Sequence, residues 1–134
     1  MLTSKTRLPF TIENLVGGFA RANGVLQVVK DRLEVEFQTQ DTVIGKIKSE
    51  PKMVAIPLTE IDSVAFKSNW FGASMTIRVL DLRLLQQLPK SEDSEFKIKV
   101  NKKDKDKATS LESVINLRIS ELKLDPQDRG DSIL

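Results

Sequence analysis

Lysines crowd one stretch of the chain: Lys97, Lys99, Lys102, Lys103, Lys105 and Lys107. Several ammonium groups beside the free backbone N–H groups of a helix start suit a phosphate or an acidic partner. The helix dipole resists lysine there, preferring anions by about 0.3–1 kcal/mol. Asp104 and Asp106 are interleaved with these lysines, so the run also reads as a solvated face whose own acids supply the cap. A second feature is Trp70-Phe71, which lies between Asn69 and Gly72, where turns are normally polar. Two rings on a hairpin tip can anchor a partner or a membrane interface. The other reading folds them back over the mouth of the fold or onto Leu82, Leu85 and Leu88. Two carboxylate pairs, Glu34 with Glu36 and Glu60 with Asp62, fall on one strand face each by alternation. Such pairs can do acid–base work, but on outward faces they serve as solubilising charges. Gly17-Gly18 lacks the Lys and Ser/Thr of a Walker loop.

The residue types that are missing narrow the chemistry further. Histidine, cysteine and tyrosine do not occur among the 134 residues. That removes the commonest general acid–base group, the thiolate nucleophile, disulfides and the usual zinc ligands. Basic and acidic residues number 21 and 19, a balance unlike the one-sided charge of a nucleic-acid binder. The expectation is therefore a protein with no catalytic residues, no cofactor, no metal and no nucleic acid. Lys5 and Arg7 precede no apolar run that would make a signal peptide, and no segment has the ~20 apolar residues of a membrane-spanning helix. A cytoplasmic location is expected.

These side chains need elements to hold them. Ala108, Leu111, Ile115, Ile119 and Leu122 recur at spacings of three and four, the apolar stripe of one helix from Asp104 to Lys123. Pro126 follows it, and Lys105, Glu112, Asn116, Arg118 and Glu121 fall on its water side. Val114 and Leu117 lie off the stripe; Leu117 is a candidate contact for a homodimer, or a single exposed leucine of the ordinary kind. Before the helix the pattern has period two. Leu33, Val35 and Phe37 alternate with Glu34, Glu36 and Gln38, a half-buried strand. Asn23-Gly24 carries the signature of a two-residue hairpin turn, which divides 19–22 from 25–29 and makes these, with 32–39, a three-stranded meander. Phe10 and Ile12 begin a strand that Pro9 places at an edge. Val43, Ile44 and Ile47 read as a helical turn or a loop. Further strands are expected over 53–58, 61–67, 74–80 and 95–101, with a short helix capped by Asp81 and ended by Pro89. About seven strands and one terminal helix amount to two packed antiparallel sheets or a partly open β-barrel that the helix caps. Domain bounds follow: a flexible 1–9, a single domain over 10–124 and a disordered tail over 125–134.

That order of elements is the order of pleckstrin-homology-like (PH-like) domains. At residue level the stretches Gly24-Val25-Leu26, Leu33-Glu34-Val35-Glu36-Phe37, Ile56-Pro57-Leu58-Thr59-Glu60-Ile61, Trp70-Phe71-Gly72 and Lys103-Asp104-Lys105 resemble a family of uncharacterised bacterial PH-like proteins. The resemblance spans roughly Phe19 to Lys123. It implies a binding module for a peptide, a protein or a phospholipid head group, not an enzyme. Phosphoinositide-binding members place several Lys and Arg in the loop between their first two strands. Here the corresponding turn is Lys30-Asp31-Arg32, too short to cradle a phosphate. The resulting expectation is a non-catalytic binding or scaffolding module for a protein partner. The alternative is a peripheral membrane module that binds anionic lipid through the lysines at the helix start. Trp70, Phe71, Lys102, Lys103, Lys105 and Lys107 are the candidate contacts.

Overall fold

A computed structural model describes residues 6–41, 49–89, 91 and 93–124. Seven strands form one antiparallel sheet: β1 (Leu8–Leu15), β2 (Ala20–Val29), β3 (Arg32–Asp41), β4 (Lys52–Pro57), β5 (Ile61–Asn69), β6 (Gly72–Val79) and β7 (Glu95–Val100), in the spatial order β4-β3-β2-β1-β7-β6-β5. Helix α1 (Lys105–Leu124) follows. Two meanders, β1 to β4 and β5 to β7, thus join along β1 and β7, where Thr11 opposite Lys99 is the one registered pair. Alternate residues of all seven strands feed a single apolar cluster, together with Ala108, Leu111, Ile115, Ile119 and Leu122 of α1. One helix covers the inner face of so wide a sheet only if the sheet curls around it, as a partly open barrel does. The helical stripe and the strand count are as the periodicity predicts.

Three expectations change. Asn23 and Gly24 are not a turn: β2 runs unbroken through them, opposite Gln38 and Phe37 of β3. The glycine serves packing. A Cβ at position 24 would sit 2.3 Å from the Glu36 carbonyl oxygen and 2.5 Å from Cζ of Phe10, so the Phe10 ring lies directly over bare backbone. That ring meets Phe96 edge to face at 6.1 Å, which ties β1 to β7 inside the core where the ladder between them is short. Secondly, β1 is central, between β2 and β7. Pro9 is tolerated because it lies beyond the point where β7 pairs and so has no ladder bond to give on that side. Thirdly, the connection between the first two strands is the short 3-10 turn Val16–Gly18, and Lys30-Asp31 joins β2 to β3.

The short helix capped by Asp81 is a 3-10 turn, Leu82–Leu85. The Asp81 carboxylate accepts from the Arg83 N–H at 2.9 Å. Leu85 and Leu88 are buried, but Leu82 points outward. The readings of Val43, Ile44 and Ile47, and of 125–134 as a tail, lie outside the described residues.

The two edges of the sheet are treated differently. Along β5 the helix supplies side chains where another strand would supply peptides: the Val64 N–H donates to Asn116 Oδ1 at 3.2 Å and Asn116 Nδ2 donates to the Val64 carbonyl at 2.9 Å. The Phe66 N–H donates to Glu112 Oε2 at 2.8 Å. Glu112 and Asn116 therefore face the sheet, not water. At the other edge, no described residue pairs with the outer side of β4. Arg118 likewise has a protein partner. Its guanidinium grips Asp31 through both carboxylate oxygens, at 2.8 and 3.1 Å.

Candidate functional site

The β5–β6 hairpin turns through Trp70 and Phe71, with Asn69 opposite Gly72. Asn69 Oδ1 accepts from the Phe71 N–H at 2.8 Å, an Asx-type closure of the kind that favours Asn in turns. Gly72 re-enters the strand at φ +152°, a conformation that side-chain-bearing residues avoid. The local chemistry thus fixes the backbone of the tip, while its rings find no cover. Trp70 is 93% exposed and Phe71 96%. The packed-back reading of these rings is excluded; they project from the protein.

Beside them stands the start of the lysine run. Lys102 Nζ donates to the Trp70 carbonyl at 3.1 Å. The contact joins the tip to the turn that leads into α1. Asn101 caps that turn, its Oδ1 accepting from the Lys103 N–H at 3.0 Å. Asp104 is buried, and Lys107 Nζ approaches it at 3.7 Å. Asp104 therefore places a carboxylate at the positive end of the helix dipole, where charge of that sign is favoured, and it holds Lys107 back. Lys102, Lys103, Lys105 and Lys107 are all exposed. Of the sequence candidates, the structure brings Trp70 together with Lys102 and leaves Lys107 turned to its own acid.

The remaining lysines of the run belong to a different surface. Lys97 and Lys99 alternate outward from β7 and line an open groove of about 620 Å³. Its walls come from β1, β5, β6 and β7, and Phe71 forms part of its rim. Lys67 of β5 and Ser74 of β6 line it too. Neither was a sequence candidate. Nothing in the sequence around Lys67 or Ser74 sets them apart, because only the strand register brings them beside Lys97 and Lys99.

The other candidates separate from this surface. Glu34 is held by Arg32 at 2.9 Å and by Gln27 at 3.2 Å, and Glu36 lies 3.7 Å from Arg7. These carboxylates are paired along the outer face of β3 and, with Arg7, Gln27 and Met53, line only a dent of about 10 Å³. Gly17 and Gly18 form an open turn with positive φ. Leu117 is 62% exposed on α1. Among the described residues no group of three or more potential metal ligands occurs, and no helix is long and apolar enough to cross a membrane. Compared with known proteins, this chain matches no family model, no curated protein and no solved structure.

Proposed function

We propose that this chain is a non-catalytic docking module of the PH-like kind that binds an anionic membrane surface with the β5–β6 tip leading. The observation that carries the reading is the tip itself, two adjacent rings bared to water with the Lys102 ammonium held against the Trp70 carbonyl. Aromatic rings at head-group depth leave water, and the indole N–H keeps a polar partner there. Lysines alongside meet anionic head groups. Burying half of a ~200 Å² aromatic side chain gains about 2–3 kcal/mol at ~25 cal/mol/Å². Each lysine near an anionic surface adds about 1 kcal/mol. The two contributions sum in surface binding, and the tip offers both at one point.

Tryptophan fluorescence tests it, since Trp70 is the only tryptophan. In the free protein its emission is that of a hydrated indole, fully open to acrylamide quenching. Vesicles of phosphatidylcholine with about one-third phosphatidylglycerol shift the emission blue at low salt, and the shift fades as salt screens the lysines. Trp70→Ser with Phe71→Ser lowers sedimentation with such vesicles by at least ~tenfold. No blue shift at low salt would sink the membrane reading. Association with a protein that ignores salt but depends on Trp70 would put a protein partner in its place.

A further inference from the structure

The groove behind the tip has a chemistry of its own. Ser74 of β6 faces Lys67 of β5 on one side and Lys99 of β7 on the other, and Lys99 in turn faces Thr11 of β1. Four outward side chains thus form one row across four strands: ammonium, hydroxyl, ammonium, hydroxyl. With strands about 4.8 Å apart, the two lysines stand roughly 10 Å apart at the backbone with the serine midway. Lys97, two residues from Lys99 on the same face, closes a triangle of cations around Ser74. The acids of the groove are already engaged. Glu13 lies 3.4 Å from Lys99, and Glu95 accepts from Arg78 at 3.1 Å. Lys67 and Lys97 have no carboxylate partner among the described residues. The groove runs past the one registered pair between β1 and β7, Thr11 with Lys99.

We infer that this groove seats the phosphate of an anionic lipid head group, held by Lys67 and Lys97 over the Ser74 hydroxyl, with Lys99, paired to Glu13, at its side. Charge complementarity argues for the ligand class: two unpaired ammonium groups and two hydroxyls point into a space of about 620 Å³, within the usual range for a small-molecule site. Phe71 on the rim argues for the lipid source. A phosphate in the groove leaves its glycerol and acyl portion beside the ring that enters the membrane. This inference rests on the membrane reading above, and adds to it a defined head-group seat in place of a diffuse positive surface.

The test combines a soluble head group with vesicles. Titration of the full chain with glycerol phosphate, followed by amide NMR, moves Ser74, Lys97 and Lys99, and a Ser74→Leu variant that fills the groove without changing charge abolishes the movement. In vesicle sedimentation Lys67→Ser with Lys97→Ser weakens binding about 25-fold, at roughly fivefold per lysine. Ser74→Leu weakens it as well. Shifts confined to Lys102–Lys105, or no shifts, overturn the seat. So does vesicle affinity unchanged in both groove variants, which would assign any soluble binding to free phosphate. The Trp70→Ser, Phe71→Ser variant separates the two claims: vesicle binding that ignores the tip removes the docking mode, whereas binding that needs the tip but ignores the groove removes only the seat.

Discussion

A methyl group added at position 24 would meet the Glu36 carbonyl oxygen at 2.3 Å and the Phe10 ring at 2.5 Å. A backbone oxygen cannot step aside as a side-chain end can, so Gly24→Ala forces strands β2 and β3 apart or drives Phe10 off Phe96. Overpacking of this kind costs about 1–3 kcal/mol. Chemical denaturation should show a lower midpoint at unchanged slope, and an unaltered midpoint would mean that Phe10 does not lie over the glycine. The same residue explains a misreading. Asn-Gly is the strongest short hairpin signal, and nothing local distinguishes a glycine that permits a turn from one that permits a ring to lie on the backbone. The difference resides in Phe10, fourteen residues away along the chain. Trp70 and Phe71 were easier to single out, since large rings between Asn69 and Gly72 stand out in any turn. Their exposure was not legible, because it depends on whether other elements reach the tip.

At the level of elements, helix α1 acts in two ways. Its apolar stripe fills the curl of the sheet, and this was plain from period 3.6 because five buried positions recur without interruption. Its polar flank finishes the edge of β5, and this was not. Asn116 and Glu112 look like water-facing residues on a helical wheel, yet they take the place of a missing strand for Val64 and Phe66. Asn116→Ala strands a backbone donor and an acceptor, at a cost of about 1–3 kcal/mol. Hydrogen exchange should locate the damage, with the Val64 amide exchanging faster while β2 and β3 amides keep their protection relative to global unfolding. Uniform loss across the sheet would instead mark Asn116 as a general packing residue. The Lys67–Ser74–Lys99 row was hidden for a related reason. Cross-strand neighbours are set by register, and the register of β5, β6 and β7 is fixed by the hairpin tip and by which faces are buried.

For the whole molecule, one turn connects the first meander, the second and the helix. The Asp31 carbonyl accepts from the Leu58 N–H at 2.8 Å, while the Asp31 carboxylate takes both arms of the Arg118 guanidinium. That hydrogen bond is the main reason the Asp31 carboxyl is held below the ordinary carboxylate range, against a smaller opposing desolvation. A carboxyl depressed in the folded state contributes stability above the unfolded value, about 3.9, and that contribution disappears as pH falls through the lower folded value. Thermal melts should therefore show Asp31→Asn less stable than the parent at neutral pH, with the gap closing in acid. A gap independent of pH would assign the effect to packing. Architecture at this scale was legible as a seven-stranded, helix-capped β fold. The joining of the meanders along β1 and β7 was not, since Pro9 argues locally for an edge. The unequal rims of the sheet carry one last consequence. A copy that added its β4 to the β4 of another, whose outer side no described residue pairs with, would complete a two-fold pair, while Asn116 and Glu112 already take Val64 and Phe66 on the far rim. Polymerisation head to tail, rim upon rim into a filament, would meet those two side chains where it needs open backbone.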